Sequence, residues 1–212
     1  MAVSAQRDLI QDRAVVTRDK LLDAAIRSFA SVGYEAATTR QIETDAGVNR
    51  GLINYHFKTK DVLWKAAVDW LFSRAAEELA SAERHAVAVD PLARMRYFVR
   101  AFVRFSARFP EVNRLMVQEG MRDDWRIDWL VEHFARPWYR RAEVLFDEAR
   151  ALGIAPHMDY AHFYYILTGA AALMFSMAPE ARRLAGIDPA DDAVIDAHAE
   201  ALAQLLFPGE SK

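Results

Sequence analysis

Cysteine is missing from all 212 residues, which rules out a disulfide framework, a thiol nucleophile and thiolate metal sites together. No uninterrupted apolar run reaches the roughly 18 residues that a membrane-spanning helix needs. The first residues, MAVSAQRDLIQDR, lack the apolar centre of a secretory signal. A cytoplasmic chain with no membrane partner is therefore expected. Strand-like alternation is never sustained, and no repeat or low-complexity tract breaks the chain. Glycine-rich phosphate loops are missing too, as is any nucleophile paired with a base at motif spacing. An enzyme is thus not expected, although one acting on small hydrophobic molecules in an aromatic cavity stands as the alternative, and no cofactor is implied. Six histidines (56, 85, 133, 157, 162 and 198) are scattered. His157-x-Asp-x-x-His162 does not have the i, i+4 spacing that puts two ligands on one helical face, so no metal site is expected.

What is present is a 53% hydrophobic fraction, enough for a substantial core, carried on helical spacing. The net charge of −3 conceals an asymmetry. Residues 1–60 hold nine Lys or Arg against seven Asp or Glu, and the remainder holds 18 against 23. Any polyanion contact is thereby assigned to the N-terminal quarter.

An all-α fold is predicted. Residues 1–16 show no apolar stripe and are expected to form a flexible arm. Thr17 can cap a first helix, striped by Leu21, Leu22, Ala25, Ile26 and Phe29, which Gly33 stops. Thr38-x-x-Gln41 has the spacing of a capping box and opens a short helix burying Ile42 and Ala46. Gly47 turns the chain, and Asn49 suits the N-cap of a helix from Arg50 to Phe57. Thr59 caps a long helix running to about Ala86, with Asp61 at its positive end. Further helices are expected from Asp90-Pro91 to Phe109, from Pro110 to Glu119 and from Asp124 to Arg136. After an interruption at Pro137 the pattern resumes to Leu152, where Gly153 ends it. Met158 to Met177 and Ala193 to Phe207 complete the set. Residues 179–192, rich in Pro, Gly and Asp, read as a connection.

One stretch concentrates hydrogen-bond donors: TTRQIETDAGVNRGLINYHFKTKDVL, from Thr38 to Leu63. Two short helices joined by a glycine turn, then a long helix, have the arrangement of a helix-turn-helix. In that motif the second helix enters the major groove of DNA and the first crosses the phosphate backbone. Arg50 can offer two parallel donors to guanine O6 and N7, and Asn54 comes one helical turn later. Gly51, without a side chain, permits close approach to the groove. Thr39, Arg40, Tyr55, His56 and Lys60 suit phosphate oxygens, and Asn49 joins the candidate contact set. Leu52, Ile53 and Phe57 remain to hold the reading helix in place. Any one of these residues alone reads more simply as a solvated surface position. Their agreement in spacing, capping and donor chemistry is what favours a DNA-reading surface over a polar face of a three-helix bundle.

IETDAGVNRGLINYHFKTKDVLWKAA also resembles the signature of the TetR family of bacterial transcriptional regulators. The matching features are Phe29 and Gly33, Thr38 and Thr39, Ile42, Ala46-Gly47-Val48, Tyr55-His56-Phe57 and Lys60-Asp61-Val62-Leu63. They span residues 17 to 70, and Glu43 departs from the small Ala usual in the pattern. After the arm (1–16), the resemblance implies a DNA-binding domain (17–63) and a helical ligand-binding and dimerisation domain (64–212). It further implies a homodimer joined through its last two helices, a near-palindromic double-stranded operator, and repression relieved by a small-molecule effector. An activator, or a regulator without ligand response, would share the same fold.

In the larger part, Phe163, Leu167, Ala170 and Met174 on one helix, and Ile195, His198, Leu202 and Leu205 on the last, form strips suited to a bundle. The residues alone leave internal core and dimer interface equally open; the resemblance favours the interface. Phe98, Phe102, Trp125, Trp129, His133 and Trp138 gather aromatic surface that could line a cavity for a hydrophobic or aromatic effector, or simply pack as core. Arg96, Arg100, Arg104 and Arg108 recur every fourth residue, as a solvated ridge or as a site for an anionic ligand.

Overall fold

The computed structural model describes residues 2–85 and 90–208, with side chains for 14–77 and 90–208. Its elements are all helical among the described residues, and they fall into two compact units, residues 1–73 and residues 74–212.

In the first unit, α1 spans Ala2–Ala36 with one non-helical residue, Gly33, at φ 81° and ψ 165°. That backbone is open essentially to glycine alone, so Gly33 ends the straight helix as expected. Leu21, Leu22, Ala25, Ile26 and Phe29 are all buried. The arm expected over 1–16 is instead helical from Ala2, and Thr17 lies inside α1 rather than capping it. Residues 2–16 contain no Gly or Pro and many good helix formers, so the helix extends backwards without an apolar stripe. Val15 and Val16 there are exposed.

Helix α2 spans Thr39–Asp45, and the Thr38 hydroxyl caps it by accepting the Gln41 amide at 3.2 Å. Only half of the capping box forms, because the Gln41 side chain turns forward to Asp45. Helix α3 spans Leu52–Phe57, and α4 spans Lys60–His85 with Thr59 Oγ1 capping the Val62 amide. The expected end of α4 near Ala86 lies outside the described residues. The first unit extends ten residues past the expected boundary at 63, since Trp64, Ala67, Val68 and Leu71 of α4 are buried as well.

The second unit is built around α5 (Pro91–Arg108), which Asp90 caps. Met95, Val99 and Val103 of α5 form a core with Phe146, Phe163, Leu167, Ala171, Leu202 and Phe207. The partners come from α8 (Arg136–Ala151), α9 (Tyr160–Ser176) and α11 (Asp192–Leu206) with Phe207 at its C-cap. Helices α6 (Pro110–Gly120) and α7 (Trp125–Leu130) precede a single π turn, Val131–Ala135. The regular α pattern is interrupted just before Pro137 by that π turn, and Pro137 then occupies the first turn of α8. The expected connection at 179–192 is in part a helix, α10 (Ala178–Ala185), with Pro179 in its first turn and Gly186 at its end. A first-turn proline has no helical hydrogen bond to lose, so it starts this helix rather than breaking one.

The arginine ridge is neither free in solvent nor open to an anion over most of its length. Arg104 pairs with Asp196, and Arg100 with Glu200 at 2.7 Å. Arg96 Nε donates to the Phe207 carbonyl oxygen at 2.8 Å, capping the negative end of α11. Three rungs therefore tie α5 to α11. The Arg100 guanidinium, then the Gln204 amide, holds the Glu200 carboxyl below its ordinary value. That contribution is present above the unfolded carboxylate range and is lost as pH falls through the folded value.

Behind α6 and α7 lies a buried cluster in which Arg126 Nε donates to Glu119 at 2.7 Å and its NH2 to Asp124 at 2.8 Å. Arg126 and Glu119 are almost wholly buried. Glu119→Ala should cost about 3 kcal/mol of stability, because it takes the buried carboxylate away from a buried cation. Urea unfolding measures this, and an unchanged midpoint would mean the cluster contributes nothing to the unit.

Candidate nucleic-acid interface

The α2–α3 pair begins from local chain chemistry. At the end of α2, the Ala46 amide reaches the Ile42 carbonyl and the Gly47 amide the Thr44 carbonyl. Gly47, with positive φ, then turns the chain. Residues 48–51 make an irregular turn, and α3 starts at Leu52 rather than at Arg50. Asn49 is not its cap. The cap position belongs to Gly51, at φ 88° with nothing within 4 Å of where a Cβ would stand. Glycine is therefore required by the backbone conformation and not by crowding.

With no side chain at the cap, α3 takes its acceptor from elsewhere. The Ile53 amide donates to Glu43 Oε1 at 2.9 Å, and the Val48 amide donates to the Glu43 carbonyl oxygen at 3.1 Å. Glu43 itself is only 6% exposed. Ile53 and Phe57 are buried beside it, while Ala46, expected in the core, is half-buried. At the far end, Lys58 adopts φ 66° and ψ −51°, and the Thr59 amide closes onto the Phe57 carbonyl at 2.7 Å. This is a γ-turn of the rare positive-φ kind, a strained conformation for a residue with a Cβ.

Held in this way, the unit presents a polar face. Arg40, Asn49, Arg50, Asn54 and Lys58 are exposed, and Tyr55 is 70% exposed. Arg50 lies in the turn before α3, so it does not share a helical face with Asn54 in the way the spacing suggested. Thr39, Gly51, Asn54, Lys58 and Lys60 line a surface cleft of about 220 Å³ together with Glu43. His56 is half-buried, its ring edge-on to Tyr55 at 4.9 Å. Lys60 is already engaged: its ammonium donates to the Glu35 carbonyl at 3.3 Å and lies 4.3 Å from the centre of the Tyr34 ring. Tyr34 donates in turn to Asp61. Lys60 thus fastens α4 to the end of α1. Sequence reasoning noted Glu43 only as a departure from the family pattern and passed over Lys58. A carboxylate at an otherwise apolar position of the α2 stripe was the signal for the first; the γ-turn left none for the second.

The candidate effector residues fall into separate groups. Phe98 and Phe102 stack at 6.5 Å, and Phe102 and Trp138 pack against Phe105 and Ala75. Trp129 stacks instead on His133 at 4.7 Å, where His133 is exposed and bonded to the Trp129 carbonyl. Trp125, at the start of α7, is exposed. The candidate interface residues divide as well. Phe163, Leu167 and Leu202 are buried in the core of their own unit, because they occupy the side of α9 and α11 that meets α5. Ala170 and Leu205 point outward, while Met174, Ile195 and His198 are half-buried. His198 Nε2 donates to the Ala170 carbonyl at 2.8 Å, joining α11 to α9. Tyr165, Ile166, Leu173 and Leu205 make the outward apolar surface.

No single helix among the described residues is long and apolar enough to cross a membrane. A family model described as "Bacterial regulatory proteins, tetR family" matches residues 21–67. The HTH-type transcriptional repressor AcnR of Corynebacterium diphtheriae is 32% identical over 137 residues, covering 53% of this chain and 72% of that protein. The HTH-type transcriptional repressor Rv1474c of Mycobacterium tuberculosis is 43% identical over 56 residues, 26% of this chain. There the match spans only 30% of the relative's length. Among solved structures, AibR in complex with isovaleryl coenzyme A and operator DNA superposes with a TM-score of 0.72 at 16% identity, over 91% of this chain and 98% of that one. That likeness shows the fold. With the α2–α3 geometry and the AcnR match together, the chain belongs to the tetR family of bacterial regulatory proteins.

Proposed function

We propose that the protein is a dimeric transcriptional repressor that reads double-stranded operator DNA through α3 and releases it on binding a small hydrophobic effector. The observation that carries this reading is the α2–α3 pair. Its second helix is fixed at both ends, buried through Ile53 and Phe57, and exposed at Asn54 and Tyr55. Arg50 and Asn54 contact base edges, and Arg40 and Lys58 contact phosphates on either side. Lys60 contributes mainly by holding α4 in place. The repressors AcnR and Rv1474c support the regulatory reading by their likeness over this region.

A second copy of the chain covers the outward apolar surface of α9 and α11, and two copies related by a two-fold axis read the two halves of a near-palindromic operator. Their reading helices then stand one DNA turn or a multiple apart, ~34–36 Å per turn. The effector binds against the aromatic row Phe98, Phe102, Phe105 and Trp138, because most of the arginine ridge is engaged with α11. AibR, solved with an acyl coenzyme A and operator DNA, supports a ligand-responsive scheme. A ligand shifts the DNA equilibrium only by its difference in affinity between the DNA-bound and released states.

Two measurements test this reading. Arg50→Ala and Asn54→Ala should each weaken operator binding and relax preference at particular base pairs, by about 1–3 kcal/mol of discrimination. Lys58→Ala should instead weaken all sequences alike and lower the salt slope by about one phosphate's worth. Competition assays against single-base operator variants separate the two, and an Arg50→Ala loss spread evenly over all sequences would contradict base reading. For assembly, Leu173→Glu with Leu205→Glu should give a folded monomer by analytical ultracentrifugation. A variant that stayed dimeric would place the interface elsewhere.

A further inference from the structure

The six-residue α3 cannot cap itself. The first amides of any helix lack intrahelical acceptors, and here the cap position is a glycine in the left-handed region. The acceptor arrives from ten residues back on the neighbouring helix, through Glu43 Oε1 at 2.9 Å from the Ile53 nitrogen. The Glu43 carbonyl meanwhile accepts the Val48 amide. One buried residue therefore holds both sides of the turn that carries Asn49, Arg50 and Gly51. Its negative charge also suits the positive end of a helix. The Ala more usual at this position of the signature has no atom that could take the Ile53 hydrogen bond.

We propose that Glu43 is the positioning residue for base recognition: it sets the axial and rotational placement of α3 against α2, and with it the aim of Arg50 and Asn54. It acts through α3 without touching DNA. The inference rests on the reading of α3 as the DNA-reading helix. A carboxylate beneath a surface that faces phosphates also repels DNA of any sequence. Glu43 thus lowers general affinity while raising discrimination, a combination that a residue serving stability alone would not produce.

The test measures, for full-length protein, the ratio of affinities for an operator selected by the wild type and for a scrambled duplex of equal length. Glu43→Ala is expected to lower that ratio roughly ten- to hundredfold, as a buried donor loses its partner, while affinity for the scrambled duplex holds or rises. Glu43→Gln keeps an acceptor oxygen and drops the charge. It should hold the ratio within about threefold of wild type and raise both affinities, in line with the general salt-sensitive term. Amide hydrogen exchange adds an independent readout: the Ile53 amide should lose protection in Glu43→Ala and keep it in Glu43→Gln, with α1 unchanged in both. Val68→Ala, a destabilising change in α4, serves as control and should leave the ratio unaltered. If Glu43→Ala fails to fold, Glu43→Asp, one methylene too short to reach, should lower the ratio instead. An unchanged ratio in Glu43→Ala, or an equal fall in Val68→Ala, would overturn the proposal. A wild-type protein that prefers no sequence would overturn the DNA reading itself, a result distinguishable because protection at Ile53 would still respond to Glu43.

Discussion

Backbone amides in a tight turn must find acceptors, and at the start of α3 a buried carboxylate supplies one that the backbone does not. Between α2 and α3 the chain reverses in a few residues, with Gly51 left-handed and without a side chain to cap α3. Glu43 supplies the acceptor from inside the unit, at a position where an apolar residue would have served packing equally well. The γ-turn at Lys58 then constrains the other end of α3. A six-residue helix has too few internal hydrogen bonds to persist alone. Fixed at both ends and anchored by Ile53 and Phe57, it becomes a rigid platform for the side chains it exposes.

The larger unit solves a different problem with the same material. Helix α5 is apolar on one side and carries arginines at fourth-residue spacing on another, so the two faces do separate jobs. Met95, Val99 and Val103 join the core, while Arg96, Arg100 and Arg104 reach across to α11. The exposed rungs contribute little energy each, and their value lies more in fixing the register of two helices far apart in sequence. That register in turn leaves Tyr165, Ile166, Leu173 and Leu205 facing outward as an apolar surface.

Much of this was legible in sequence where the determinants are local. Thr38 and Thr59 cap helices where their spacing predicts, Asp90 and Asp124 stand at the starts expected for theirs, and the α1 stripe and its stop at Gly33 agree with helical periodicity. The failures share a physical cause. The partner of Glu43 is ten residues away across a turn, and the acids facing the arginine ridge lie more than 90 residues downstream. No periodicity encodes such pairs. Helix α9 is apolar nearly all round, so its pattern could not say that Phe163 and Leu167 face inward while Tyr165 and Leu173 face out. Helix α10 was hidden by composition, because Pro179 reads as a breaker until its place in a first turn is known. In the first unit the two short helices joined by a glycine turn were legible, while the start of α3, and so the place of Arg50 before it, was not.

The central claim is that this surface reads base sequence and does not merely attract polyanions. The most direct measurement is selection by the purified protein from a pool of random duplex DNA at moderate salt, with sequencing of the retained fragments. Enrichment of a near-palindrome whose half-sites are separated by one helical turn or a multiple of it is the predicted result. Retention of unenriched DNA, with binding that vanishes as salt is raised, would contradict it.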